Sequence, residues 1–92
     1  MTGFAQDITG VTVVRHGVLR LVFADGLVGD VEVLDRMRGP VFAEACTPDG
    51  FAKVSVDPEI GTIVWPSGAD LAPDTLYHRV RTGRWPDKDI AA

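Results

Sequence analysis

Only one cysteine, Cys46, and two histidines, His16 and His78, occur among the 92 residues. An internal disulfide is therefore excluded, and a tetrahedral structural zinc site would have to recruit carboxylates. The three residues are far apart in sequence and none has a paired ligand beside it, so neither a metal nor a cofactor is expected. Long apolar runs are also missing. The longest, such as Val11 to Val14, fall far short of the roughly 20 residues that cross a bilayer, and no basic segment leads into an apolar one at the N-terminus. A soluble, unexported, cytoplasmic protein without membrane contact is the expectation. Basic residues are in deficit as well: nine Lys and Arg stand against 13 Asp and Glu, a net charge of −4. The overall field does not steer such a chain towards phosphate backbones, so nucleic-acid binding would need a local basic patch.

The composition, 46% hydrophobic and 24% charged, is that of one small globular domain. A chain of this length buries only roughly 60 to 65% of the surface its unfolded form exposes, which leaves a thin core. Self-association, through a sheet edge or the aromatic residues near the C-terminal end, is expected to compensate.

Alternation sets the element order. Residues 1–6 form an N-terminal arm, and the β-branched run Ile8 to Val14 reads as a first strand ending at the turn formers His16-Gly17. Val18 to Phe23 alternates, with Leu19, Leu21 and Phe23 on one face, and Asp25-Gly26 supplies the positive-φ positions of a tight hairpin. Leu27 to Leu34 returns with Val31 and Val33 inward and Asp30 and Glu32 outward. Gly39-Pro40 opens a short helix over Val41 to Cys46, closed by the turn run Thr47-Pro48-Asp49-Gly50. A second hairpin follows: Ala52 to Val56 with Val54 and Val56 inward, a turn at Asp57-Pro58-Glu59-Ile60-Gly61, and Thr62 to Trp65 with Val64 inward. Pro73 starts the last helix, Leu76, Tyr77 and Val80 form its apolar stripe, and Gly83 stops it. The prediction is an α+β domain over residues 7–83, ordered β-β-β-α-β-β-α, in which a meander and a hairpin form a divided antiparallel sheet packed with two short helices. Residues 84–92 read as a C-terminal tail.

The run from Val56-Asp57-Pro58-Glu59-Ile60-Gly61 through Trp65-Pro66-Ser67-Gly68-Ala69-Asp70 to Pro73-Asp74, after a Phe23-Ala24-Asp25-Gly26 hairpin, resembles a small bacterial family known as domain of unknown function 2442. The likeness extends over roughly residues 7 to 80. It implies an α+β fold with a divided antiparallel sheet, no established activity, and relatives that occur alone or joined to a helix-turn-helix segment. This chain has Ser67 where the family usually has Asn, a Thr47-Pro48-Asp49-Gly50 turn of its own, and no room for a helix-turn-helix. DNA binding by that appended domain does not carry over.

Chemistry-bearing residues are few. The loop Trp65, Pro66, Ser67, Gly68 and Asp70 is a candidate interaction loop, since it offers a flat apolar ring, a permissive glycine and a carboxylate. The competing reading has Trp65 closing the core and Asp70 organising the turn into the last helix. Asp74 and His78 are four apart and share a helix face, but the hydroxyl and thiol groups available as nucleophiles, Ser67, Thr75 and Cys46, sit in no recognisable catalytic frame. Cys46 reads as a small buried hydrophobe and His16 as a turn residue. Arg79, Arg81, Arg84 and Lys88, with Trp85 among them, outnumber Asp87 and Asp89 and form a candidate basic patch. The alternative is cations that favour the negative end of a helix.

No catalytic residue is assigned. The expected function is a non-catalytic protein-interaction or regulatory module with a protein partner or a second copy. The alternatives are a nucleic-acid-binding accessory protein using the basic C-terminal end, and an enzyme whose pocket would hold Asp70 or His78. The predicted core is Leu19, Leu21, Phe23, Val31, Val33, Val54, Val56, Val64 and Leu76. Leu21→Ala is expected to lower stability by about 2–5 kcal/mol, read as a drop in the urea midpoint; an unmoved midpoint would place Leu21 on the solvent face.

Overall fold

The structure, a computed structural model, describes residues 6–86. Residues 1–5 of the expected N-terminal arm and residues 87–92 of the expected tail lie outside the described residues. Three strands, β1 (Ile8–Arg15), β2 (Val18–Phe23) and β3 (Val28–Glu32), form an antiparallel sheet in that order. A separate hairpin pairs β4 (Ser55–Asp57) with β5 (Thr62–Val64). Two helices complete the fold, the four-residue α1 (Pro48–Phe51) and α2 (Pro73–Thr82). The α+β architecture with a divided antiparallel sheet is as the alternation predicts.

Register follows the turns. Between β2 and β3 the partners Leu19 and Val31, and Leu21 and Gly29, bring the apolar positions to one face, while Arg20 and Asp30 meet on the other. There the Arg20 guanidinium grips Asp30 through two hydrogen bonds of 2.8 and 3.2 Å. The connecting turn differs from the sequence expectation. Only Gly26 has a positive φ, 93°, because Asp25 stays right-handed. The Phe23 N–H bonds the Leu27 carbonyl, and the Gly26 N–H bonds the Phe23 carbonyl. This three-residue loop is a type I turn with a glycine bulge, in which one left-handed position suffices. β1 carries two register shifts, between Ile8 and Gly10 and between Val13 and Arg15; bulges of this kind add twist. Its start joins the second hairpin, since the Ile8 N–H donates to the Gly61 carbonyl at 2.9 Å.

The segment between β3 and β4 departs most from expectation. No α-helix covers Val41 to Cys46; Pro40–Phe42 is a single 3-10 turn, and further turns follow it. The helix comes later, from the residues expected to end one. Thr47 Oγ1 accepts the Gly50 N–H at 3.0 Å as an N-cap, and Pro48 occupies the first turn, where its lack of an N–H costs nothing. Gly50 is confined there, because an added Cβ would lie 1.9 Å from the Glu44 carbonyl oxygen. The same dipeptides that terminate a helix can begin one, and the cap decides.

Buried side chains from both sheets meet in one core. Leu19, Leu21, Phe23, Val31, Val33 and Leu76 are buried as expected, and each is worth about 1.5–3 kcal/mol in area removed from water. Val54 and Val56 are half-buried against it. The expected inward position Val64 is corrected: β5 turns Ile63 and Trp65 inward and leaves Val64 half-buried. With Thr62, Ile63 and Trp65 all buried, this three-residue strand has no clean alternation, and Val64 lies at its margin, where its backbone bridges Asp70. Ile8, Met37, Phe42, Ala45 and Phe51 complete the core from segments without clear alternation.

Helix α2 packs behind β3 at one narrow point. A Cβ on Gly29 would lie 2.5 Å from Val80 Cγ1. Gly29→Ala is expected to cost about 1–3 kcal/mol by overpacking. In a Val80→Ala background the cost of the same change should largely disappear, giving non-additive urea midpoints; strict additivity would mean that this contact yields freely.

Candidate functional site

The surface around α2 gathers most of the titratable groups. Ala72 occupies its N-cap position without a side-chain hydrogen bond, Asp74 sits in its first turn with Oδ1 accepting the Thr75 N–H at 2.9 Å, and Gly83 closes it with a φ of 80°. Asp70 therefore does not cap this helix; it is exposed, and its backbone bridges Val64. On one flank, Gln6, Asp74, Thr75, Tyr77, His78, Arg81, Thr82 and Pro86 line an open hollow of about 490 Å³. Asp74, His78 and Thr75 do come together there. Ser67 and Cys46 do not: the Ser67 hydroxyl donates to the Val41 carbonyl at 2.9 Å and the Cys46 thiol to the Met37 carbonyl at 3.4 Å. On the other flank, Arg36, Leu71, Ala72, Thr75, Leu76 and Trp85 line a smaller hollow of about 200 Å³.

The candidate interaction loop is built into the fold. Trp65 is 2% exposed and its indole N–H donates to the Phe51 carbonyl at 3.2 Å. Its backbone is fixed on both sides, since the Trp65 N–H bonds Ala69 and the Gly68 N–H bonds Trp65, with Gly68 left-handed at 93°. Pro66, Ser67 and Gly68 remain at the surface. His16 is likewise more than a turn residue: its Nε2 lies 2.8 Å from the Cys46 carbonyl, and its ring meets Phe51 edge-on.

The basic patch is partly spent on internal contacts. The guanidinium carbons of Arg36 and Arg79 lie 4.4 and 5.7 Å from the centre of the half-buried Trp85 ring. Such cation–π contacts fix the segment after α2 against the turn that follows β3. Arg36 was not among the sequence candidates, because nothing local marks it as a neighbour of Trp85. Arg81 serves another cluster. The Tyr77 hydroxyl donates to Asp25 Oδ2, and Asp25 Oδ1 accepts the Leu27 N–H at 2.9 Å. The Tyr77 hydrogen bond, then the Leu27 N–H and more weakly the Arg81 charge, hold the Asp25 carboxyl below the usual range. The Asp25 carboxylate in turn pushes the Tyr77 phenol up. Arg84 is exposed, and Lys88 lies outside the described residues.

Among the described residues no three His, Cys, Asp or Glu side chains converge as metal ligands, and no helix is long and apolar enough to cross a membrane. The sheet edges offer the remaining surface. β1 is tied to the second hairpin through Ile8 and Gly61, and β5 is flanked by β4 and Asp70. Among the described residues β3 has a paired strand on one side only. Because the Phe23 N–H bonds Leu27 and the Val33 N–H bonds Gly17, Gly29 and Val31 turn their backbone groups towards β2. Antiparallel pairing then points those of Val28, Asp30 and Glu32 outward. Val28 is 53% exposed beside them.

Compared with known families, residues 8–82 match the one described as protein of unknown function (DUF2442). No curated protein and no solved structure matched the chain.

The Asp25–Tyr77 contact makes stability depend on pH at both extremes. A lowered Asp25 value gives stabilisation that is complete above the unfolded value of about 3.9 and is lost as the pH falls through the folded one. A raised Tyr77 value gives stabilisation that is complete below about 10 and is lost as the pH rises through the folded one. The gap in urea midpoint between the native chain and Tyr77→Phe is expected to be widest between these limits and to narrow beyond each. A gap independent of pH would refute the contact.

Proposed function

Since the chain belongs to the DUF2442 family, whose description names no activity, we propose from the geometry that it is a non-catalytic protein-interaction module, acting in the cytoplasm through the outer edge of β3. The observation that carries this reading is the row of outward backbone groups at Val28, Asp30 and Glu32, next to the exposed Val28 side chain. Unpaired strand edges are templates for another strand. Either another protein or a second copy of the chain can supply it.

Two observations support this reading over its alternatives. The hollow that holds Asp74, Thr75 and His78 is open, whereas acid–base and nucleophilic chemistry gain from exclusion of water. At the C-terminal end, Arg36 and Arg79 stack on Trp85, and Arg81 serves the Tyr77–Asp25 pair, which reduces the charge on offer to phosphates.

The test is a photo-cross-linking side chain placed at Glu32 in living cells. A discrete adduct is expected, and it should be lost in a Val28→Pro background, because proline removes an outward N–H while sparing the ladder to β2. Equal adduct yield from Glu59, in the β4–β5 turn, or persistence in the Val28→Pro chain, would remove β3 as the contact.

A further inference from the structure

We infer that the occupant of the β3 edge is an extended basic segment of another protein, alternating Lys or Arg with apolar residues, rather than a second copy of this chain. The inference rests on the interaction reading above and names its partner. The side chains on the solvent face of β3 are Val28, Asp30 and Glu32, all exposed. An added strand would set its own solvent-facing side chains directly opposite these, where opposite charges attract and like charges repel. Strict alternation puts residues of one kind opposite all three, so lysine or arginine faces the carboxylates of Asp30 and Glu32 and lays its alkyl stem over Val28, while the apolar residues of the added strand fall on its other face.

A second copy fits less well. Twofold antiparallel pairing over all five residues of β3 places Asp30 against Asp30 of its mate and Val28 against Glu32. That register opposes like charges at its centre and sets an apolar side chain against a carboxylate at each end. Arg20 already holds Asp30 on the β2 side, so a copy brings no uncommitted cation across the edge. Registers that avoid the Asp30 clash shorten the ladder and forfeit hydrogen bonds.

The edge is also stiff. Gly29 sits directly in front of Val80, with no room between them for even a methyl group, so β3 is backed by α2 at its midpoint. A template already in its bound shape costs little ordering on association.

The experiment uses the full chain and two labelled peptides of equal length, one alternating lysine with valine and one alternating glutamate with valine. Fluorescence anisotropy reads affinity, and amide hydrogen exchange reads the site. The lysine peptide is expected to bind and to slow exchange at Val28, Asp30 and Glu32, while the glutamate peptide does not bind. Glu32→Gln should weaken binding about twofold to fivefold, the size of one cross-strand charge pair. Val28→Pro, which leaves the net charge unaltered, should weaken it roughly tenfold or more through the lost donor. Equal binding by the Val28→Pro chain would show mere attraction to an acidic surface and overturn the inference. Slowed exchange at the same three amides on concentrating the chain alone would make a second copy the occupant and overturn it too. If neither peptide binds while the Glu32 adduct still forms in cells, the basic partner falls and the interaction reading stands; loss of the adduct removes both.

Discussion

The packing of Trp65 against Phe51 and Phe42 is the contact on which the two halves of this fold depend. Among the described residues the three-stranded sheet and the second hairpin share no strand ladder, and the chain between them runs through 3-10 turns and a four-residue helix whose backbone hydrogen bonds are local. What holds that connection inward is a cluster of rings: Trp65 lies 6.0 Å from Phe42 and 6.1 Å from Phe51, and its N–H satisfies the Phe51 carbonyl. The Phe51 carbonyl also accepts the Val54 N–H at 3.3 Å, so the indole N–H is its second donor, and the carbonyl in turn gives the buried indole N–H the acceptor it needs. The indole supplies apolar area and a tie to the α1 backbone from one side chain, and a phenylalanine at the same position would keep only the first.

Legibility in the sequence followed period. Where side chains alternate over five or more residues, as in Val18 to Phe23, the strand, its inward face and its partner could all be read. Over Thr62 to Val64 only three residues form the strand, too few for alternation to fix a face, and Ile63 rather than Val64 is the one that packs into the core. Thr47-Pro48 was ambiguous for a different reason. The dipeptide suits a turn and a helix start equally, and the choice rests on the Gly50 N–H reaching Thr47 Oγ1. Of the candidate sites, residue type alone could mark Trp65 and Trp85 as unusual, but not what surrounds them. The placement of Arg36 beside Trp85 depends on the path of the whole chain.

Charge in this protein serves mainly to fasten elements. Asp25 joins a hairpin turn to α2, Asp30 joins two strands, and Arg36 and Arg79 secure the segment after α2. A formal charge counted from sequence overstates what a partner can use, because paired groups have already given up part of their field. Glu32, next to the β3 edge, is among the exposed carboxylates outside those pairs.

The Asp25–Tyr77 hydrogen bond joins residues 52 positions apart, and that separation bears on the order of folding. The β2–β3 hairpin needs only its own turn and can form as soon as residues 18–32 are free to move, on the microsecond scale of isolated hairpins. Its apolar face, with Leu21 and Val31, is then uncovered until α2 arrives from far along the chain, and closing so long a loop delays the contacts that reward it. During synthesis the hairpin therefore precedes its cover. A hairpin without its cover is marginally stable, so until α2 arrives the apolar residues of β2 and β3 stay accessible in a fluctuating segment, the stage at which a nascent chain most needs a chaperone or rapid completion.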